Sequence, residues 1–158
     1  MAAKFSYDWT QFCQKIEIQA SPERVFKAWT EPKTIVKWFV VKAEMEPRRN
    51  GRLQWEWLAG DKLDARIIDI KKPGKFVFPF GSKGEKVAVT IRKQRRGSLV
   101  ELHQYDMKAS PRDRVQMHLG CREGWAFFLS NLKAFLEHGV DLRSHDPAKS
   151  YRQGFVNS

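Results

Sequence analysis

The fold of this 158-residue chain is decided by one stretch near its amino terminus, Ser21-Pro-Glu-Arg-Val-Phe-Lys-Ala-Trp-Thr-Glu-Pro-Lys-Thr-Ile-Val-Lys-Trp-Phe39. Ser21 is a favoured N-cap, and Pro22 is tolerated at the first helical position because no N–H is needed there. Thr30 followed by Pro32 repeats this start signal and predicts that Thr30 caps a second helix. Apolar residues recur at helical spacing in both halves: Val25, Phe26 and Trp29, then Ile35, Val36, Trp38 and Phe39. We therefore predict two short helices, each burying one face.

The composition is typical of a single globular domain with a basic surface. Apolar residues make up 42% and aromatic residues 13% of the chain, which is too apolar for a disordered protein. The length allows one domain with a sizeable core and no disulfides. The formal net charge of +11 suggests an anionic partner such as nucleic acid, anionic lipid or an acidic protein, but it says nothing about fold. We expect no specific nucleic-acid partner.

Several classes of protein are disfavoured by what the sequence lacks. The first residues contain no uninterrupted apolar segment of the kind found in signal peptides, and no stretch approaches the roughly 18 apolar residues of a spanning helix. Cys13 and Cys121 show no metal-site spacing and are expected to be reduced, partly buried thiols. His118 and Cys121 lie three residues apart, but two ligands do not make a zinc site. We expect a cytoplasmic protein without metal or cofactor.

Alternating apolar residues predict an antiparallel meander after the two helices. Turn signals at Asn50-Gly51, Gly60-Asp61, Pro73-Gly74, Gly81 to Gly84 and Gly97 separate the strands. A further strand precedes the helices, which makes about seven strands in all. They are predicted at residues 12–19, 40–46, 53–57, 63–70, 76–80, 87–91 and 99–107.

A long amphipathic helix is predicted from Arg114 to His138. Its apolar stripe is formed by Trp125, Phe128, Leu129, Leu132, Phe135 and Leu136. Gly139 is a plausible C-cap because glycine readily adopts the left-handed conformation there. Residues 140–158 show no periodicity and receive no structural assignment. The predicted domain therefore covers residues 11–139 and is followed by a tail over 140–158.

Three segments of the chain resemble the activator of heat-shock protein 90 ATPase homologue family, which belongs to the START-like, SRPBCC helix-grip superfamily. Residues 21–39 resemble the opening motif of that family, residues 65–80 resemble a strand pair, and residues 124–139 resemble its closing helix. Ala65 and Phe80 stand where the family usually has Gly and Trp. The resemblance implies an α+β helix-grip fold, in which a curved antiparallel sheet grips the carboxy-terminal helix around an apolar cavity.

Large side chains on one face of the predicted sheet are the candidate lining of that cavity. If Val100 and Leu102 point inward, Gln104 does too and could orient a polar group of a ligand. The reversed register would instead turn Glu101, His103 and Tyr105 inward as an acid–base set. With the first register preferred, the predicted ligand-binding residues are Trp55, Trp57, Phe76, Phe78, Phe80, Gln104, Trp125 and Phe128. No catalytic dyad and no metal-binding cluster is recognised.

Basic residues are concentrated in alternate turns of the meander. Because alternate turns lie at the same end of a sheet, three basic turns are expected to converge. This predicted basic patch contains Arg48, Arg49, Lys71, Lys72, Lys75, Arg92, Lys93, Arg95 and Arg96, with Arg52 beside the first turn. An acidic partner is a candidate occupant, although such charges also serve solubility.

Three functions follow from these features, in decreasing order of preference. The first is non-catalytic binding of a small hydrophobic, aromatic or lipid ligand in the cavity. The second is a co-chaperone-like interaction with heat-shock protein 90 or another acidic protein, in a stress response, as the resemblance implies. The third is a cyclase-like enzyme, which would need polar groups facing the cavity.

Overall fold

The computed structural model of the chain describes residues 6–158 and consists of a curved antiparallel sheet packed against one long helix. Two short helices connect the first strand to the second. A single 3₁₀ turn lies near the carboxy terminus. The elements are β1 (Phe12–Ile18), α1 (Pro22–Thr30), α2 (Pro32–Ile35), β2 (Lys42–Met45), β3 (Arg52–Glu56), β4 (Lys62–Arg66), β5 (Asp69–Lys71), β6 (Lys75–Pro79), β7 (Lys86–Gln94), β8 (Gly97–Tyr105), α3 (Arg114–His138) and the 3₁₀ turn Tyr151–Gln153.

The two short helices form where the sequence predicts them, but only one of their caps is as expected. The Ser21 hydroxyl accepts a hydrogen bond from the Arg24 N–H at 3.3 Å, which confirms Ser21 as the N-cap of α1. The prediction that Thr30 caps α2 is wrong. Thr30 is the last residue of α1, and its buried hydroxyl donates to the Phe26 carbonyl at 2.8 Å. The residue before α2 is Glu31, whose side chain makes no capping hydrogen bond.

The strand predicted over residues 63–70 is broken in two, so eight strands are present among the described residues instead of about seven. The Ile67 N–H donates to the Gly51 carbonyl beside β3, whereas the next N–H, of Ile68, donates to the Val77 carbonyl in β6. The chain thus changes partner between β4 and β5. This change divides the sheet into β2-β3-β4 and β1-β8-β7-β6-β5 and gives it its bend.

Strand β8 shows the preferred register of inward and outward residues. Val100, Leu102 and Gln104 are buried, whereas Glu101 and His103 on the alternate face are partly exposed. Long pairings hold this strand between β1 and β7 in the larger sheet. The prediction that Gln104 faces the core is confirmed.

Helix α3 packs across the sheet with the predicted bounds and the predicted buried stripe. Trp125, Leu129, Leu132 and Leu136 are buried, and Phe128 is partly buried. The helix ends at Gly139, which has a φ of 68° and donates its N–H to the Phe135 carbonyl. This left-handed residue confirms the predicted C-cap.

Two further expectations concern thiols and membranes. Both cysteines are free, but Cys13 is exposed instead of partly buried, because it lies on the outer face of the edge strand β1. Across residues 6–158, none of the helices combines the length and the apolar character needed to cross a bilayer.

Candidate ligand-binding cleft

An apolar cleft of about 790 Å³ opens beside the first half of α3. Its other walls come from the start of β4 and from the loop between β6 and β7. The cleft therefore lies at one end of the sheet and not under the middle of the helix. Aromatic rings of Phe39, Trp57, Phe80, Trp125, Phe127 and Phe128 line it. Its volume lies in the range of roughly 300–1,000 Å³ that is typical of small-molecule sites.

The eight residues predicted to line a cavity fall into two groups. Four of them lie on the cleft wall, namely Trp57, Phe80, Trp125 and Phe128. The other four, Trp55, Phe76, Phe78 and Gln104, are at most 2% exposed and line no cleft. The physical reason is close packing, since the rings of Phe76 and Phe78 lie 4.9 Å apart and those of Trp55 and Phe78 lie 5.0 Å apart. Ligand contact by any of the eight stays a prediction.

Gln104 holds a cleft residue in place instead of facing the cleft itself. Its Oε1 accepts a hydrogen bond of 2.8 Å from the indole N–H of Trp125, and its amide nitrogen donates to the Cys121 sulfur at 3.6 Å. The indole of Trp125 also stacks on Phe39, with ring centroids 5.3 Å apart. These contacts fix the orientation of the ring that connects the packed core to the cleft wall.

Comparison with known proteins agrees with this architecture. The sequence profile described as activator of Hsp90 ATPase homolog 1-like protein matches residues 19–137, which is most of the chain. The chain belongs to this family. The helix-grip fold inferred from sequence resemblance is thereby confirmed, and the tail beyond residue 137 lies outside the matched part.

Solved structures from several bacteria share the fold of this family member. SSP2350 from Staphylococcus saprophyticus is 22% identical, with a TM-score of 0.76 over 85% of this chain and 96% of that one. The Aha1 dimer from Colwellia psychrerythraea is 18% identical, with a TM-score of 0.70 over 82% and 97%. DynU16, a protein in the dynemicin biosynthetic locus, is 17% identical, with a TM-score of 0.72 over 86% and 50%. Among curated proteins, no sequence relative matches the chain.

Two glycines of α3 create room for the cleft in this member of the family. Gly120 and Gly124 both line it and lie four residues apart, which places them on the same face of the helix. A Cβ added at Gly124 would meet nothing within 4 Å, so the space beyond it is open. The expectations drawn from the sequence did not include this pair, although two glycines four residues apart on a predicted helix leave one face without side chains.

The tail over residues 140–158 is fastened to the domain by Arg143, whose side chain is only 10% exposed. Its guanidinium donates to the carbonyls of Val36 at 2.9 Å and Val40 at 3.1 Å. It also pairs with Asp141 at 2.9 Å. Burial alone would raise the pKa of the Asp141 carboxyl, but hydrogen bonds, chiefly from Arg143, outweigh burial and lower that pKa. The tail is thus anchored where α2 leads into β2.

Beyond this anchor the tail crosses to the cleft. Tyr151, Val156 and Ser158 contribute to the cleft lining, and the Tyr151 hydroxyl lies close against Gly120. A second cleft of about 460 Å³ lies between this segment and Trp57. Sequence periodicity contained no signal for this arrangement, because the tail has neither a helical nor a strand pattern.

His118 and Cys121 do not form a metal site with neighbouring groups. His118 is fully buried, and its ring nitrogens contact the Tyr7 hydroxyl at 2.9 Å and the Trp9 carbonyl at 3.2 Å. The histidine therefore tethers the segment that precedes β1. Within residues 6–158, His, Cys, Asp and Glu side chains nowhere assemble into a group of three that could hold a metal ion.

The alternative acid–base set lies outside the domain core. His103 contacts the Gln11 amide oxygen at 2.8 Å and stacks on Tyr105, with ring centroids 4.8 Å apart. Glu101 on the same face pairs with Lys15 at 3.3 Å. None of the three lines the cleft.

The basic turns lie at the end of the sheet opposite the cleft. The Ile91 N–H donates to the Gly74 carbonyl, which places the turn of residues 71–75 beside the end of β7. Arg49 and Lys75 both act on Asp69, whose pKa is lowered first by a hydrogen bond from Lys75 and further by nearby positive charge. All nine residues of the predicted patch are exposed: Arg48, Arg49, Lys71, Lys72, Lys75, Arg92, Lys93, Arg95 and Arg96. Binding of a partner there stays a prediction.

Proposed function

We propose that this protein binds a small hydrophobic or aromatic ligand in the cleft beside α3 and does not transform it chemically. The observation that carries this proposal is the cleft itself, about 790 Å³ in volume and lined by aromatic rings. Burial of a flat apolar ligand against such rings contributes roughly 25 cal/mol per Å² of apolar surface removed from water.

The side chains near the cleft favour binding over catalysis. Burial raises the pKa of the Cys121 thiol, which disfavours the thiolate needed for nucleophilic attack. The acid–base candidates Glu101, His103 and Tyr105 lie on the face of β8 opposite to the buried residues Val100, Leu102 and Gln104. The carbonyl oxygen of Gln104 is already engaged by Trp125. The wall therefore offers shape and apolar surface in preference to reactive groups.

Filling the cleft from the helix tests this proposal. In Gly124→Leu the new side chain extends into open space, and replacing a helical glycine should not destabilise α3. We expect an uncharged hydrophobic fluorophore such as N-phenyl-1-naphthylamine to bind the native protein with quenching of tryptophan emission. Its affinity should fall at least about tenfold, or 1.4 kcal/mol, in the variant.

The matched control is Ala126→Leu, two residues along the same helix at an exposed position that lines neither cleft. It adds the same leucine side chain without entering the site and should bind the fluorophore as the parent does. Equal binding by Gly124→Leu and the parent would contradict the proposed site.

A co-chaperone-like interaction is the second candidate, because the family is named for activation of the Hsp90 ATPase. The basic end of the sheet is the surface that suits an acidic protein. Binding to purified Hsp90 should then weaken steeply with salt and should be lost when Arg49, Lys72 and Arg95 are changed to Glu. Unchanged binding in that triple variant would exclude this surface.

A further inference from the structure

Glu85 is the single acidic residue among the fully buried residues of the part of the chain that the structure describes. It is 1% exposed, and the only hydrogen bond of its side chain within residues 6–158 is the one that Oε2 accepts from the Lys83 N–H at 2.7 Å. No Lys, Arg or His of residues 6–158 forms an ion pair with it. In a chain of net charge +11 this is unexpected, because buried carboxylates are normally paired with a cation.

The carboxylate of Glu85 lies directly behind the cleft wall. It occupies the place where Gly81, a lining residue, would carry a side chain, since a Cβ there would be 2.7 Å from the Glu85 Cδ. Cys121 lines the cleft on the other side. The pKa of its thiol is raised first by burial, and the negative charge of Glu85 adds to that increase. The carboxylate is thus flanked by two residues of the cleft wall.

Among the residues that line this cleft, the charges are opposite in sign to those of the molecule as a whole, whereas the cations Arg143, Lys149 and Arg152 line the adjoining smaller cleft. Lys and Arg outnumber Asp and Glu by 29 to 18 in the sequence, yet the lining contains the acidic residues Asp61 and Asp64 and the single cation Lys62. Aromatic rings beside these groups, Trp57, Phe80 and Trp125 among them, have electron-rich faces that attract cations.

We propose that the cleft selects ligands in which an ammonium group is attached to a flat apolar body, and that Glu85 recognises the ammonium. The apolar body would lie against the aromatic rings, and the ammonium would lie at the Gly81 wall, attracted by the Glu85 carboxylate directly behind it. This inference rests on the proposed ligand-binding function and adds to it the charge of the ligand and the group that reads it.

Three naphthalene probes with the same ring test the inference by isothermal titration calorimetry on the full chain at neutral pH. They are 2-(aminomethyl)naphthalene, which is cationic, 2-naphthylmethanol, which is neutral, and 2-naphthoate, which is anionic. We expect the amine to bind about tenfold or more tightly than the alcohol, because the Glu85 carboxylate attracts its positive charge, and the carboxylate probe to bind most weakly, because Glu85 repels its negative charge.

Glu85→Gln removes the charge while keeping the shape and an oxygen for the Lys83 N–H. This variant should lose the preference for the amine and bind the alcohol with unchanged affinity. The matched control is Asp61→Asn, which removes an exposed carboxylate from the rim of the same cleft and should keep most of the preference.

The outcomes separate this inference from the function on which it rests. If the alcohol binds the parent but the amine binds no better, the inference is overturned and the ligand-binding function stands. A preference that survives in Glu85→Gln or disappears in Asp61→Asn would also overturn it. If none of the probes binds, the proposed function fails and the inference falls with it. Should Glu85→Gln not fold, the probe series on the parent and on Asp61→Asn still decides.

Discussion

Two sets of aromatic rings lie side by side in this protein and differ only in how completely they are enclosed. The inner rings are Trp29, Trp38, Trp55, Phe76 and Phe78, all at most 2% exposed. The cleft rings are Trp57, Phe80, Phe127 and Phe128, which are partly exposed on the cleft wall. Phe39 and Trp125 belong to both, because they are buried and also line the cleft. Residue type therefore does not separate core from binding surface, and enclosure does.

This difference implies that substitutions among the inner rings and the residues packed with them should reduce stability, whereas substitutions among the cleft rings should reduce ligand affinity. The largest effect is expected for Leu132→Ala, since Leu132 is fully buried in the same core cluster as the inner rings. A loss of about 2–5 kcal/mol in the free energy of unfolding should be measured in denaturant melts. The matched control is Leu119→Ala on the exposed side of α3, with an effect within about 0.5 kcal/mol. Equal effects of the two would mean that α3 does not pack as described.

Two buried tryptophans among the inner rings differ in whether the indole N–H has a hydrogen-bond partner. The Trp38 indole N–H donates to the Ala28 carbonyl at 2.9 Å, whereas the equally buried indole N–H of Trp29 has no acceptor among the described residues. Trp38→Phe leaves a carbonyl unpaired, while Trp29→Phe removes a donor that is already unpaired. Trp38→Phe should therefore be more destabilising than Trp29→Phe by about 1–2 kcal/mol. Thermal or urea unfolding of both variants measures the difference, and the opposite order would contradict this account.

The tail that covers the cleft should contribute stability that depends on pH. Because the pKa of Asp141 is lowered in the folded state, the folded protein binds fewer protons there than the unfolded chain does. The stabilisation is complete above the ordinary Asp value of about 3.9 and is lost as pH falls through the lowered value. Asp141→Asn should cost about 1 kcal/mol at pH 7. Its deficit relative to the parent should shrink in melts below pH 4, and a constant deficit would argue against the ion pair with Arg143.

Substitution of a cleft ring should weaken ligand binding more than it reduces stability. Phe128 is partly exposed and contacts Phe39 at a centroid distance of 4.8 Å, so Phe128→Ala should cost no more than about 1 kcal/mol of stability. The same change should weaken binding of the hydrophobic fluorophore about tenfold, a loss of 1.4 kcal/mol. A variant that unfolds as Leu132→Ala does, yet binds normally, would place Phe128 in the core.

The smallest effect on stability is expected at the basic end, far from both sets of rings. Changing Arg49, Lys72 and Arg95 to Glu should alter the free energy of unfolding by less than about 0.5 kcal/mol per site. Weak, salt-sensitive binding to duplex DNA should decrease much more than in a control that changes the exposed residues Lys62, Lys83 and Lys108 at the other end. DNA binding that persists at high salt would indicate a nucleic-acid function, which we do not expect.

Much of the fold was predictable because its signals are local. Ser21 caps α1 and Gly139 caps α3 as predicted, and the bounds Arg114–His138 agree with the structure. Thr30 was misassigned because a threonine hydroxyl bonds equally well to the preceding turn of a helix, and burial favoured that partner. The break at Ile67 and Ile68 was missed because both residues fit a continuous apolar strand, and only the change of strand partner reveals it.

The candidate site was predictable in residue type but not in position. Alternation placed Trp55 and Trp57 on one face of a strand, yet Trp55 is enclosed by Phe39, Phe76 and Phe78 while Trp57 follows the strand end and reaches the cleft. Gln104 faces inward as predicted, but its partner is Trp125.

Local signals in the sequence were therefore enough to establish the family, the order of the elements and the direction in which most side chains point, because these depend on caps, turns and periodicities spanning only a few residues. Tertiary structure alone decided where the cleft opens, how the tail covers it and that Glu85 stands behind its wall. These features depend on residues far apart in the chain, such as Arg143 on Val36 and Tyr151 on Gly120. A cleft is the space left where several elements pack together, and the sequence pattern of any single element does not indicate it.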